Sequence, residues 1–129
     1  AELASKQIIE VPGAIDLIKK LSNKFTLGLA SSAIRSEIDM VLNEFKIRQF
    51  FTAIVSSEDV SRGKPDPEPY LLASTKLHIK PQHCLVIEDS VSGIRSAKAA
   101  EMKCISLNTN VPEADKVVSS LQEIDINDI

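Results

Sequence analysis

Apolar residues recur along this chain in two rhythms. After Pro12-Gly13, Ile15, Ile18 and Leu21 fall on one helical face, and Ile34, Ile38, Val41, Leu42 and Phe45 mark a second helix. Between them lies the run Phe25-Thr26-Leu27-Gly28-Leu29-Ala30, which ends in Ser31-Ser32 and whose length and glycine suit a buried strand. Ala53-Ile54-Val55, Cys84-Leu85-Val86-Ile87 and Cys104-Ile105-Ser106-Leu107 are further short apolar runs of the same kind. Tyr70, Ala73 and Leu77 form the inner side of a helix predicted to open at Asp66-Pro67, an N-cap followed by the first helical residue. Ile94, Ala97 and Ala100 mark another helix, from about Ser92. The tail from Ala114, with Val117, Val118 and Leu121, predicts a short strand or turn of helix at the core edge.

Helices alternating with all-apolar strands predict an α/β fold, a parallel sheet in three layers with helices on both faces. The 129 residues suit one domain, residues 1–129, without internal repeat or linker. Ligands of such sheets bind beyond the carboxyl ends of the strands. Ser31, Ser32, Glu88 and Asp89 all fall at strand ends of that kind, and Lys64 in the loop Ser61 to Pro69 can reach the same rim.

These residue types suit a phosphoryl group. A hydroxyl at a strand-to-helix junction adds a donor where backbone N–H groups already favour an anion. A lysine held between Gly63 and Pro65 can neutralise phosphate and a neighbouring carboxylate. Two adjacent acids are costly unless a cation compensates them, and their oxygens suit Mg²⁺. Each has a plainer reading too: Ser31 as a helix cap, Lys64 as solvated surface, Glu88-Asp89 as a capped strand end.

Composition narrows the field. The chain is 43% hydrophobic and 26% charged, with 15 basic and 18 acidic residues mixed to a net charge of −3. There is no basic stripe for nucleic acid, no polybasic membrane anchor, and no apolar run near the roughly 20 residues of a membrane helix. Cys84 and Cys104 lack metal-site spacing and read as buried reduced thiols, which predicts a cytoplasmic protein. His78 and His83 flank Pro81 at the end of the sheet away from the proposed site and receive no catalytic role.

In order along the chain, Leu29-Ala30-Ser31-Ser32, Gly63-Lys64-Pro65-Asp66-Pro67 and Val86-Ile87-Glu88-Asp89-Ser90 with Gly93-Ile94 resemble three motifs of the haloacid dehalogenase superfamily. The branch resembled is that of β-phosphoglucomutase-like and phosphoglycolate-phosphatase-like proteins, over nearly the whole chain from Pro12-Gly13 to about Leu121. The resemblance implies a Rossmann-like core that transfers phosphoryl groups of a small phosphorylated metabolite through an aspartyl-phosphate, with Mg²⁺ as cofactor. It also implies phosphate binding by Ser31, with Ser32 beside it, stabilisation of the pentavalent phosphoryl group by Lys64, and metal ligation by Asp89 with Glu88 holding the metal's waters.

The family's first motif, Asp-x-Asp-x-Thr at a strand end, has no counterpart here; Asp125-Ile126-Asn127-Asp128 follows no core strand. The sequence therefore predicts that the first strand and the helical cap lie outside this chain and that the isolated chain does not turn over. In the family that strand lies between the strands ending at Ser31 and Glu88. Those two should then expose edges, pair directly, or receive an N-terminal segment or a second copy. Glu101 stands where relatives have glycine and predicts a different helix end. A non-catalytic phosphate- or protein-binding module on the same fold is the second reading. The order serine, lysine, acids disfavours a receiver domain, and no Gly-x-Gly-x-x-Gly supports dinucleotide binding.

Overall fold

The computed structural model describes residues 13–129. Within them α1 (Ala14–Ser22), β1 (Gly28–Ala30), α2 (Arg35–Glu44), β2 (Ala53–Val55), α3 (Glu68–Leu77), β3 (Leu85–Glu88), α4 (Val91–Ala99), β4 (Lys103–Leu107) and β5 (Lys116–Val118) follow one another in the predicted alternation. Every strand pairing is parallel: β1 with β2, β3 with β4, and β4 with β5.

Side-chain alternation along the strands builds the three layers. Leu29, Ile54, Ile87 and Leu107 join Leu17, Ile18 and Leu21 of α1 and Ile38 and Leu42 of α2 in one buried cluster. Ala30, Val55, Val86 and Cys104 join Tyr70 and Ala73 of α3 and Ile94 and Ala97 of α4 in the other. Each cluster draws on β1 and β2 as well as on β3 and β4. Burial pushes the Cys104 thiol up to about 12, which removes thiolate chemistry there.

The structure corrects several element limits. The inner face of α1 is Ala14, Leu17, Ile18 and Leu21, with Ile15 only half-buried; Pro12 lies outside the described residues. The run from Phe25 becomes a strand only at Gly28, because the N–H groups of Lys24 and Phe25 close the end of α1 on the Leu21 carbonyl. Ile34 is the exposed N-cap of α2 rather than an inner residue. Helix α3 begins one residue later than predicted, with Pro67 at the cap; the Asp66 carboxylate still accepts the Glu68 N–H at 2.9 Å. Helix α4 starts at Val91, where the Ser90 hydroxyl accepts the Gly93 N–H.

Glu101 does not change the helix end. Its φ of 64° is the left-handed conformation that glycine adopts, and the Met102 N–H bonds the Ala97 carbonyl at 3.0 Å. Lys46 and His78 end α2 and α3 in the same way. A side chain in that region costs about 1 kcal/mol relative to glycine. Glu101→Gly is therefore expected to raise the thermal midpoint by a few degrees, measured by calorimetry; an unchanged or lower midpoint counts against the reading.

Among the described residues the strands form two parallel sheets, not one. Among the described residues β1 and β3 share no ladder, so the strands that end before Ser31 and at Glu88 neither pair directly nor join through a strand. An apolar cleft of about 250 Å³ is lined by Leu27 ahead of β1, Leu85 and Ile87 of β3, and Leu77 and Ile79.

Candidate active site

The rim is assembled from the ends of β1 and β3 and the loop before α3. Ser31 follows β1 directly and is buried at 4% exposure. Its N–H donates to the Val55 carbonyl at 2.9 Å, and its hydroxyl oxygen accepts the Ala33 N–H at 3.0 Å. Ser32 is exposed beside it. The Arg35 N–H at the start of α2 donates to Glu58 at 2.7 Å, so this helix end already meets a carboxylate.

Lys64 is brought in by a loop pinned at several points. Glu68 accepts the N–H groups of Ser61 and Arg62, Gly63 accepts the Asp66 N–H, and Ser96 of α4 donates to the Asp66 carbonyl at 2.7 Å. The Lys64–Pro65 peptide bond is cis. The resulting position is not solvated surface: the Lys64 side chain is only 6% exposed. Its Nζ donates to the Ala30 carbonyl at 3.1 Å and to Glu88 Oε2 at 3.3 Å. One ammonium thus spans the space between β1 and β3.

Glu88 is buried at 2% exposure and takes donors on both oxygens. Oε2 accepts from the Tyr70 hydroxyl at 2.7 Å and from Lys64. Oε1 accepts from the Asp89 N–H, the Ser90 N–H and the Ser90 hydroxyl. A carboxylate offers about four lone-pair positions, so a metal or its waters would have to displace a protein donor here. Asp89 is the open member of the pair, exposed at the strand end. Crowding by the protein and then the neighbouring Glu88 carboxylate push the Asp89 carboxyl above its ordinary range. Such a position favours a hard cation with oxygen ligands, and Asp89 fits Mg²⁺ while Glu88 fits it poorly. Among the described residues no cluster of three or more His, Cys, Asp or Glu side chains gathers.

Residues 1–107 match the family described as haloacid dehalogenase-like hydrolase. The chain belongs to the haloacid dehalogenase-like hydrolases. It is 34% identical over 122 residues to the validoxylamine A 7'-phosphate phosphatase of Streptomyces hygroscopicus subsp. limoneus, covering 90% of this chain and 57% of that protein. It is 36% identical over 110 residues to hexitol phosphatase B of Escherichia coli K12, covering 80% of this chain and 50% of that protein. The crystal structure of β-phosphoglucomutase from Clostridium difficile superposes with a TM-score of 0.83 at 29% identity, over 96% of this chain and 56% of that one. The chain spans about half the length of these relatives.

Of the residues expected at this rim, Lys64 meets Glu88 and the Ala30 carbonyl just before Ser31, and Asp89 follows Glu88 in the chain. Sequence reasoning missed Tyr70, read only as an inner helical residue. The available signal was a phenol on a buried helical face, which needs a partner for its hydroxyl. It also missed Thr109, whose hydroxyl donates to the Asp89 carbonyl at 2.5 Å, and the packing of Gly93 against Glu88. His78 and His83 are exposed and take no part in this group. No helix among the described residues is long and apolar enough to cross a membrane.

Proposed function

We propose that this chain supplies the phosphate-binding and charge-balancing part of a Mg²⁺-dependent phosphoryl-transfer site for a small phosphorylated metabolite. Supporting observations are the named phosphatases among its relatives and, above all, the Lys64 ammonium lying between the Ala30 carbonyl and the Glu88 carboxylate. Ser31, with Ser32 beside it, donates to the phosphate. Lys64 neutralises charge that gathers on the transferring group. Asp89 holds the metal, and Glu88 fixes Lys64 in place. Mg²⁺, when bound, binds phosphate oxygens and offsets their charge. The nucleophile is an aspartate that no motif of this chain provides, and a strand carrying it fills the space between β1 and β3. The thiols Cys84 and Cys104, unpaired with each other, suit a reducing, cytoplasmic setting.

The test is hydrolysis of 4-nitrophenyl phosphate with and without Mg²⁺, by this 129-residue chain and by the intact gene product. The intact product is expected to hydrolyse the ester, with activity lost on chelation and reduced at least a hundredfold by Asp89→Asn. The isolated chain is expected to show none. Robust Lys64-dependent hydrolysis by the isolated chain contradicts the missing nucleophile. Phosphate binding without turnover by the intact product favours the non-catalytic module instead.

A further inference from the structure

Tyr70 lies in the first turn of α3, six positions after Lys64, and is 3% exposed. Its hydroxyl reaches Glu88 Oε2 at 2.7 Å, and the centroid of its ring lies 5.2 Å from Lys64 Nζ. It therefore touches both members of the buried ion pair. The Lys64–Glu88 contact is 3.3 Å, longer than the roughly 2.7–2.9 Å of a close charge-assisted bond. The shorter bond on Oε2 comes from the phenol.

We infer that Tyr70 is a positioning residue for phosphoryl transfer: it shares Oε2 of Glu88 with Lys64 and keeps the ammonium from collapsing onto that carboxylate. A buried carboxylate must have its lone pairs satisfied, and a missing donor is replaced by drawing another one closer. Without the phenol, Oε2 turns to Lys64, whose positive charge is then spent on Glu88 rather than on the phosphoryl group. The ring acts in the same sense, because its negative face, 5.2 Å from Nζ at the centroid, offers the ammonium a second attraction besides Glu88.

The effect is separable from simple packing, because phenylalanine keeps the ring and removes only the hydroxyl. This inference rests on the phosphoryl-transfer reading of the site, so the experiment carries a control for that reading. Tyr70→Phe, Tyr70→Leu and Lys64→Met are made in the intact gene product. Each is assayed with 4-nitrophenyl phosphate and Mg²⁺, and orthovanadate binding, which mimics the five-coordinate phosphoryl group, is measured by calorimetry. Tyr70→Phe is expected to lower kcat and weaken orthovanadate about tenfold, with little change in KM or in the thermal midpoint. Tyr70→Leu is expected to weaken both further.

Wild-type kcat and orthovanadate affinity in Tyr70→Phe, with Lys64→Met inactive, overturn the role of Tyr70 and leave the parent reading intact. A lowered thermal midpoint with unchanged kcat also overturns it, assigning Tyr70 to packing alone. A wild-type protein that neither hydrolyses the ester nor binds orthovanadate removes the phosphoryl-transfer reading and the role of Tyr70 with it.

Discussion

Lys64→Met in the intact gene product is expected to cut kcat for a phosphate monoester by about a hundred- to a thousandfold, the usual loss when one preorganised donor to a developing charge is removed. Methionine has similar length and no charge, so it isolates the ammonium. The substitution should also be felt in stability. Glu88 is 2% exposed and would lose the cation at its Oε2, and breaking a buried pair on one side costs about 3–5 kcal/mol. Urea denaturation reads that loss, and single-turnover kinetics read the chemical step. Arginine should not restore activity, because its planar fork cannot place one donor on Ala30 and another on Glu88 in the space an ammonium occupies. Turnover within threefold of wild type in Lys64→Met would falsify the assignment of Lys64.

The second large effect is expected from Gly93→Ala. A Cβ built on Gly93 overlaps the Glu88 carboxyl group. The usual escape, swinging the flexible end of the glutamate aside, is closed here because Tyr70, Lys64, Asp89 and Ser90 all donate to that end. A single methyl group should thus destabilise the fold by about 3 kcal/mol or more and depress activity together with it. Gly63→Ala is the comparison, since a Cβ at Gly63 meets no atom within 4 Å, and its stability should stay within about 0.5 kcal/mol of wild type. Equal stability of the two variants in urea would show that Glu88 has room to move.

Much of the layering was readable from sequence because strands buried on both faces leave unbroken apolar runs. Val86 and Ile87 point into different clusters, so neither can be polar. The strand ends were readable for the same reason: Ser31 and Glu88 are where the apolar run stops. Element limits were harder. Phe25 is apolar but serves the end of α1, a decision made by its N–H bond to Leu21 rather than by its side chain. Glu101 gave no turn signal, since glutamate seldom adopts the left-handed conformation that the Met102–Ala97 bond imposes. At the strand ends, the residue types were visible and their contacts were not. Glu88 and Asp89 are chemically similar neighbours, yet one is saturated with donors and the other open, and that depends on Tyr70, 18 positions away.

The crowded state of Glu88 also bears on the energy of reaction. Water around a free carboxylate must reorient whenever charge shifts nearby, and that reorientation is part of an activation barrier. Here the dipoles that answer the carboxylate are covalently fixed to a strand end, a helix start and a packed phenol. They are aligned before any substrate arrives, so little solvent reorganisation has to accompany the passage of charge across this rim.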